Sequence, residues 1–398
     1  MTPASSPIPL SLHTGRDAKD GPLSGPTPVS SLTPPVTPTV DDRSTPSPFQ
    51  RAPPEEDVSL SKDNVLSPLR FVDDVEICRD EQDRYMEFGR GAWSIVYKAR
   101  SRQCATASTP STPPSSPVSV SRVLAVKVPL RRDARPVLRS EALTLTRLDM
   151  TAGCEHHIVP FYGYHSESEA LVMAAVPLAL STYIEDQADL ARKRQPSTLT
   201  MFEPVQGPDA WLRLARKLIS GLTWLHQTAG VVHGDIKPHN LLLRPVNSDA
   251  NEDPFPYEPL FADFSSALDI PEDPSTPMDS TRASMSAFTP PFTAPELLSL
   301  ASLTSGDITP TPSSDVFSLA TTLLAAATGD LLLYPGSSNM QRLAMAREGH
   351  RIIEFTRSGM NGTRIPRNGL VERIVQPAIS KDPAQRISSS EWLAVASA

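Results

Sequence analysis

The stretch "HGDIKPHN" (residues 233–240) gathers His, Asp, Lys and Asn around a proline, between the apolar runs "LISGLTWLH" and "LLL". Pro238 has no amide to give a helix, and it steers Lys237 away from helical angles. The octet therefore reads as a fixed loop between one buried element and the next. Such a loop can aim Asp235, Lys237 and Asn240 into one cleft, supplying a carboxylate to accept a proton, an ammonium to meet a phosphate and an amide oxygen for a metal. That set suits phosphoryl transfer. The plainer reading is a polar surface loop between helices.

Bulk properties set limits around this loop. A chain of 398 residues, 39% of them hydrophobic, can build one large or two ordinary domains. Proline accounts for 42 residues, about twice the ~5% of average proteins, and is unevenly placed. Residues 1 to about 70, including "SGPTPVSSLTPPVTPTVDDRSTPSPFQ", lack apolar periodicity and large apolar side chains. They predict a disordered tail, because little burial is available to offset the entropy of ordering. The net charge of −8 argues against a nucleic-acid partner, whose phosphates would demand Lys and Arg. "RRDAR" (131–135) is the one obvious basic cluster and reads as the solvated start of a helix. Three widely spaced cysteines, Cys78, Cys104 and Cys154, suit a reducing compartment better than a disulfide scaffold or zinc site. No apolar signal-like run follows Met1, and the longest apolar run, "FSLATTLLAAATGDLLL" (317–333), is broken by Thr, Gly and Asp. The expectation is an intracellular protein, cytoplasmic and/or nuclear, without a membrane span.

Order is expected from "RYMEFGRGAWSIVYKAR" (84–100), where aromatic and β-branched residues flank a glycine turn in the manner of two strands. A polar insert follows before "RVLAVKVPL" (122–130) resumes as a strand, tolerable because loop-closure cost grows only logarithmically. "VLRSEALTLTRL" has helical spacing, while "HIVPFYGY" and "ALVMAAV" read as strands. From "DAWLRLARKLISGLTWLHQT" (209–228) the pattern turns helical, with Asp209 a plausible N-cap. Pro-rich loops are expected near 192–208, 244–259 and 270–290.

With these elements in place, "HGDIKPHN" resembles the catalytic loop of eukaryotic protein kinases of the serine/threonine branch. The family's other segments appear in its order: "GRGAWS" (89–94), "LAVKV" with Lys127, a helix with Glu141, "FADFS" with Asp263, "TAPE" (293–296), "SSDVFSLA" (313–320) and "DPAQR" (382–386). The resemblance covers about residues 84–395. It implies an α+β, bilobal fold, with a small β-rich N-lobe at about 79–176, a disordered insert at 101–121, and a larger helical C-lobe at about 177–398, after a tail at 1–78. It also implies ATP and Mg²⁺ as cofactors. Catalysis would fall to Asp235, Lys237, Lys127 and Glu141, and metal binding to Asn240 and Asp263. The nucleotide pocket would comprise Gly89, Arg90, Gly91, Ala92, Val96, Ala125, Lys127, Met173, Ala175 and Leu242. Asp315 would hold the catalytic-loop backbone, Glu296 and Arg386 would form a structural pair, and His233, Phe264, Leu145 and Phe161 would stack.

The chain also departs from the family pattern. Gly234 stands where many members carry an arginine that clamps an activation-segment phosphate, so activity should depend little on phosphorylation there. Ser265 stands for the glycine after "DF", and a side chain there disfavours left-handed backbone by roughly 1–2 kcal/mol, which biases the flip of Phe264. Ser94 replaces the third loop glycine. Lys237 and Thr289 resemble the serine/threonine branch, so protein substrates with Ser or Thr acceptors are expected. Ser-Pro and Thr-Pro pairs such as Ser47-Pro48 and Ser67-Pro68 suit proline-directed kinases acting on the tail, against the plainer reading of linker bias. A scaffold that binds nucleotide without catalysis is the competing reading, suggested by Gly234, Ser265 and Ser94.

Overall fold

The computed structural model describes residues 67–102, 122–176, 178–194, 197–198, 200–246, 253–271, 289–299, 309–336 and 338–398. The expected tail up to residue 66, most of the expected 101–121 insert, and Cys104 lie outside the described residues.

The first part is a twisted antiparallel sheet. Its strands are β1 (Asp74–Ile77), β2 (Glu87–Arg90), β3 (Ser94–Arg102) and β4 (Val123–Pro129), then, after helix α1 (Arg135–Asp149), β5 (Phe161–His165) and β6 (Ala170–Ala174). The order is β1-β3-β4-β6-β5, with β2 sharing an edge of β3 with β1. Strand alternation decides what faces the cleft. Along β4, Leu124 and Val126 join Ala99, Ala170 and Val172 in a small core on one face, whereas Ala125 and Lys127 point the other way. Helix α1 buries Leu138, Glu141, Ala142, Leu145 and Leu148, a three-to-four-residue stripe that carries one carboxylate inward with the apolar residues.

Two expectations need correction here. The boundary placed at residue 79 falls too late, because β1 precedes it and pairs with β3 through Asp74↔Arg102 to Ile77↔Ala99. Its signal is weak: "DVEI" offers only Val75 and Ile77 as inward residues. Likewise Ser101 and Arg102, assigned to the insert, complete β3.

The second part is mainly helical. After β7 (Leu178–Ala179) come α2 (Leu180–Lys193) and α3 (Pro208–Thr223), then β8 (Val231–Val232), β9 (Leu241–Pro245), β10 (Tyr257–Phe261) and β11 (Leu268–Asp269). Helices α4 (Pro312–Thr328), α5 (Asn339–Arg347), α6 (Ile352–Arg357), α7 (Leu370–Val375) and α8 (Ser389–Ser397) complete the described elements. Gly207, not Asp209, sits at the N-cap of α3, since Pro208 already occupies its first turn. The loop expected at 244–259 contains the end of β9 and the start of β10.

Helix α4 is the axle of this part, buried from Ser314 to Thr328 on every side. Its hydroxyls avoid unmet polarity by bonding back four residues, as Thr321 does to the Phe317 carbonyl (3.0 Å) and Thr328 to that of Leu324 (2.9 Å). A Thr311–Ser314 capping box starts it and Gly329, in the left-handed region, stops it. Trp211 on α3 donates its indole N–H to the Leu323 carbonyl (2.9 Å), tying the two helices together. Among the described residues no helix is long and apolar enough to cross a membrane. The architecture is α+β with a sheet-rich part and a helical part, as expected.

Candidate active site

The site is built where β4, α1 and the loops around β8–β10 meet. Lys127 Nζ lies 2.7 Å from Glu141 Oε2 and 2.7 Å from Asp263 Oδ1. Burial disfavours the ammonium, but the Asp263 and Glu141 carboxylates outweigh it and raise the Lys127 pKa. Burial likewise pushes Asp263 up, yet Lys127 wins and holds its carboxyl well below the ordinary range. Both groups are thus charged at neutral pH. Glu141 is further fixed by the Phe264 N–H, which donates to its Oε1 at 3.1 Å.

The octet behaves as a rigid loop, and Asp315 explains why. Its carboxylate, at the buried start of α4, accepts from the backbone N–H of His233 (2.7 Å) and of Gly234 (2.9 Å), and lies 3.2 Å from His226 Nε2. Pro238 then opens a single turn of 3₁₀ helix ending at Asn240. Within it, Lys237 Nζ meets Asp235 Oδ2 at 2.7 Å and Thr289 Oγ1 at 3.4 Å. Asn240 Nδ2 donates to the Asp235 carbonyl (2.9 Å) and Oδ2 (3.0 Å), which leaves the amide oxygen of Asn240 for another partner. Burial raises Asp235 to about 6, against the opposing pull of Lys237. His233 is fully buried and kept neutral, its ring 4.8 Å from that of Phe264. Phe264, Leu145 and Phe161 share the main core, so Phe264 is turned inward.

Two departures now have physical accounts. Gly234 has φ +79°, and a Cβ there would sit 2.5 Å from the Ser266 carbonyl oxygen. No side chain fits without moving the segment after Asp263. At Ser265 the expected strain is displaced: Asp263 itself takes the left-handed conformation (φ 64°, ψ 73°), while Ser265 lies in a 3₁₀ turn. The Ser265 hydroxyl donates to Asp263 Oδ1 at 2.7 Å, so it braces the carboxylate. A left-handed aspartate at such a place is a held, functional conformation.

Two adjoining hollows form the cleft. One, with about 830 Å³ of open space, is lined by Gly89, Gly91, Val96, Ala125, Lys127, Met173, Asn240, Leu242 and Asp263. The other, of about 460 Å³, is lined by Gly91, Ala92, Lys127, Asp235, Lys237 and Asp263. Thus Lys127 and Asp263 face one shared space. Arg90 does not line either hollow: its guanidinium reaches out to Glu87 (2.6 Å) from a strand whose alternate residue faces in. Ala175 is also absent from both linings, where Ala174 and Val176 take the wall instead. Sequence reasoning missed Phe88, Val159, Ala262 and His239, the last neutral because burial pushes it down to about 4. Only Phe88 had a local signal, as the inward residue before the glycine turn.

Away from the cleft, Arg386 grips Glu296 with two bonds of 2.7 Å. Among the described residues no cluster of three His, Cys, Asp or Glu could hold a metal ion.

Comparison with known proteins agrees with this geometry. The family described as "Protein kinase domain" matches residues 120–396. The chain is similar to the serine/threonine-protein kinase ISR1 of Eremothecium gossypii, 30% identical over 213 residues, covering 52% of each. ISR1 of Saccharomyces cerevisiae is 26% identical over 255 residues, 60% of this chain and 49% of that protein. The serine/threonine-protein kinase PknK of Mycobacterium tuberculosis (strain ATCC 25618 / H37Rv) is 32% identical over 190 residues, 45% of this chain and 14% of that one. The chain therefore matches about half the length of the ISR1 relatives. The family match begins after the glycine turn and β3, which are joined to it by the β3–β4 pairing. With more than half its length matched and the site residues converging on one cleft, the chain belongs to the protein kinase domain family.

Proposed function

We propose that this chain is an active ATP-dependent protein kinase that transfers the γ-phosphate to serine or threonine hydroxyls of protein substrates. One observation carries the reading: Lys127, paired with Glu141 and Asp263, opens onto the same space as Asp235 and Lys237. A nucleotide-gripping cation and a buried base thus share one cleft. The proposed kinase domain extends from β1 to the end of α8.

Asp263 and Asn240 supply two oxygen donors, which suits a hard cation that takes its remaining ligands from phosphate and water, as Mg²⁺ does. Asn240 Nδ2 is already committed to Asp235, so its amide oxygen fits that use. When bound, Mg²⁺ would neutralise charge on the nucleotide phosphates. Lys127 meets the α and β phosphates, while amides around Gly89 and Gly91 approach them closely. Asp235 positions the acceptor hydroxyl and takes its proton, and it is ionised for that task above about pH 6. Lys237, already between Asp235 and Thr289, steadies the charge of the transferring phosphoryl group.

The fitted Gly234 and the bracing Ser265 favour this reading over a non-catalytic scaffold, since each substitution keeps the cleft intact rather than eroding it. The test is transfer from radiolabelled ATP with Mg²⁺ to a peptide array, run beside Asp235→Asn. Labelling of Ser/Thr peptides by the wild type alone supports the proposal. No labelling by either protein favours the scaffold, and equal labelling by both marks a contaminant.

A further inference from the structure

The described residues open with a strap, residues 67–71, laid along the β5 edge of the sheet, with Arg70 bridging Tyr164 in parallel. Two backbone bonds and one to a side chain hold it: Tyr164 N–H to the Leu69 carbonyl (2.7 Å), Phe71 N–H to the Tyr164 carbonyl (3.0 Å) and Leu69 N–H to Thr146 Oγ1 (2.9 Å). Gly163 makes room for it, since a Cβ there would sit 2.8 Å from Arg70 C and Phe71 N. Thr146 belongs to α1, the helix that carries Glu141. The strap therefore touches the element that orients Lys127.

Ser67 opens this strap, is exposed, and precedes Pro68. It lines an open hollow together with Arg70, Arg135, Arg139, Tyr164 and Glu169. Arg135 pairs with Glu169 at 2.8 Å. Among the described residues Arg70 and Arg139 have no carboxylate partner. Three guanidinium groups against one carboxylate leave the hollow with an excess of about two positive charges, close to the −1.5 to −2 of a phosphoserine at neutral pH.

We propose that Ser67 is a phosphorylation site, and that its phosphate is held between Arg70, Arg135 and Arg139 to latch the strap onto α1. The modification is made by a separate proline-directed protein kinase while the strap is undocked. Ser67 Oγ forms a bond to the γ-phosphorus of that kinase's ATP, the Pγ–O bond to ADP breaks, and the hydroxyl proton passes to the modifying kinase's base. The phosphate then makes charge-assisted bonds that exist only in the docked arrangement, and shifts the population toward it. Because Gly234 cannot receive an activation-segment phosphate, control of the Lys127–Glu141 pair passes to the opposite face of α1. This last consequence rests on the proposed kinase activity; the latch itself does not.

Treatment of the full chain with a proline-directed kinase and ATP should place phosphate on Ser67; failure to modify Ser67 while other Ser-Pro sites are labelled overturns the site. The full chain carrying phosphoserine at 67 should then exchange the amides of Leu69, Phe71 and Tyr164 roughly tenfold more slowly than the unmodified chain. Arg70→Ala combined with Arg139→Ala should remove that slowing. Exchange that is unchanged or faster on phosphorylation, or equally slowed in the double variant, overturns the latch. Exchange is read without any assay of transfer, so a chain that proves inactive still decides the question.

Discussion

Two buried cations in this molecule are paired in different ways. Arg386 is bound through all three guanidinium nitrogens: it binds both oxygens of Glu296 at 2.7 Å, donates to the carbonyls of Ser380 (2.9 Å) and Ser313 (3.0 Å), and stacks on Phe317. Lys127 instead has two carboxylates within 2.8 Å, Glu141 and Asp263, at the edge of an open cleft, and burial raises Glu141 to about 7. The first arrangement has every polar atom matched internally and acts as a staple. The second faces open space, so its groups remain within reach of a ligand. A buried pair is thus structural when protein groups close around it, and a binding site when it opens onto a cleft.

The largest effect separating the two should come from the cleft. Asp235→Asn should lower phosphate transfer by about 10²–10⁴-fold, the usual contribution of a positioned base, with a melting temperature close to wild type; a drop under tenfold would remove Asp235 from the chemistry. Arg386→Ala should do the reverse. It strands the Glu296 carboxylate and should cost about 3–5 kcal/mol by denaturant titration, while transfer per folded molecule at low temperature stays within roughly threefold. If activity fell as steeply as in Asp235→Asn, the staple would be part of the catalytic machinery and the comparison would fail.

The pH profile sharpens the same contrast. Asp235 is held up to about 6 by burial, and the proton-accepting form is the ionised one. kcat/KM should therefore fall about tenfold per unit below about pH 6. In Arg386→Ala the same inflection should persist, because Arg386 lies outside the cleft. The smallest effect expected is that of Gly234→Ala, which forces a Cβ against the Ser266 carbonyl at positive φ and should cost about 1–3 kcal/mol. A neutral substitution would show that the segment after Asp263 yields readily.

The cleft residues were legible in the sequence through the resemblance to the protein kinase family; in the structure, alternation along β4 turns Lys127 to one face, and the α1 stripe turns Glu141 inward to meet it. What escaped depends on contacts between distant segments. The need for glycine at 234 comes from Ser266, 32 positions later, and no local pattern announces it. The left-handed conformation falls on Asp263 because a tertiary ion pair holds that carboxylate, overriding the local preference that pointed to Ser265. β1 and the strap escaped because their few apolar residues, Phe71 and Val75 among them, are stabilised only by the sheet they join. The outward turn of the Arg90 side chain escaped because a motif places a residue in a loop without saying which way its side chain points.

The central claim is that the Lys127–Asp263 pair, opening onto the cleft, is a seat for a metal-bound nucleotide. Calorimetric titration of ATP into the wild type and Asp263→Asn, with and without Mg²⁺ and with melting curves to confirm folding, tests it most directly. The account predicts binding that Mg²⁺ strengthens in the wild type and that weakens at least about tenfold in the variant, with the Mg²⁺ dependence gone. Equal affinity in both proteins, or binding indifferent to Mg²⁺ in the wild type, would contradict it.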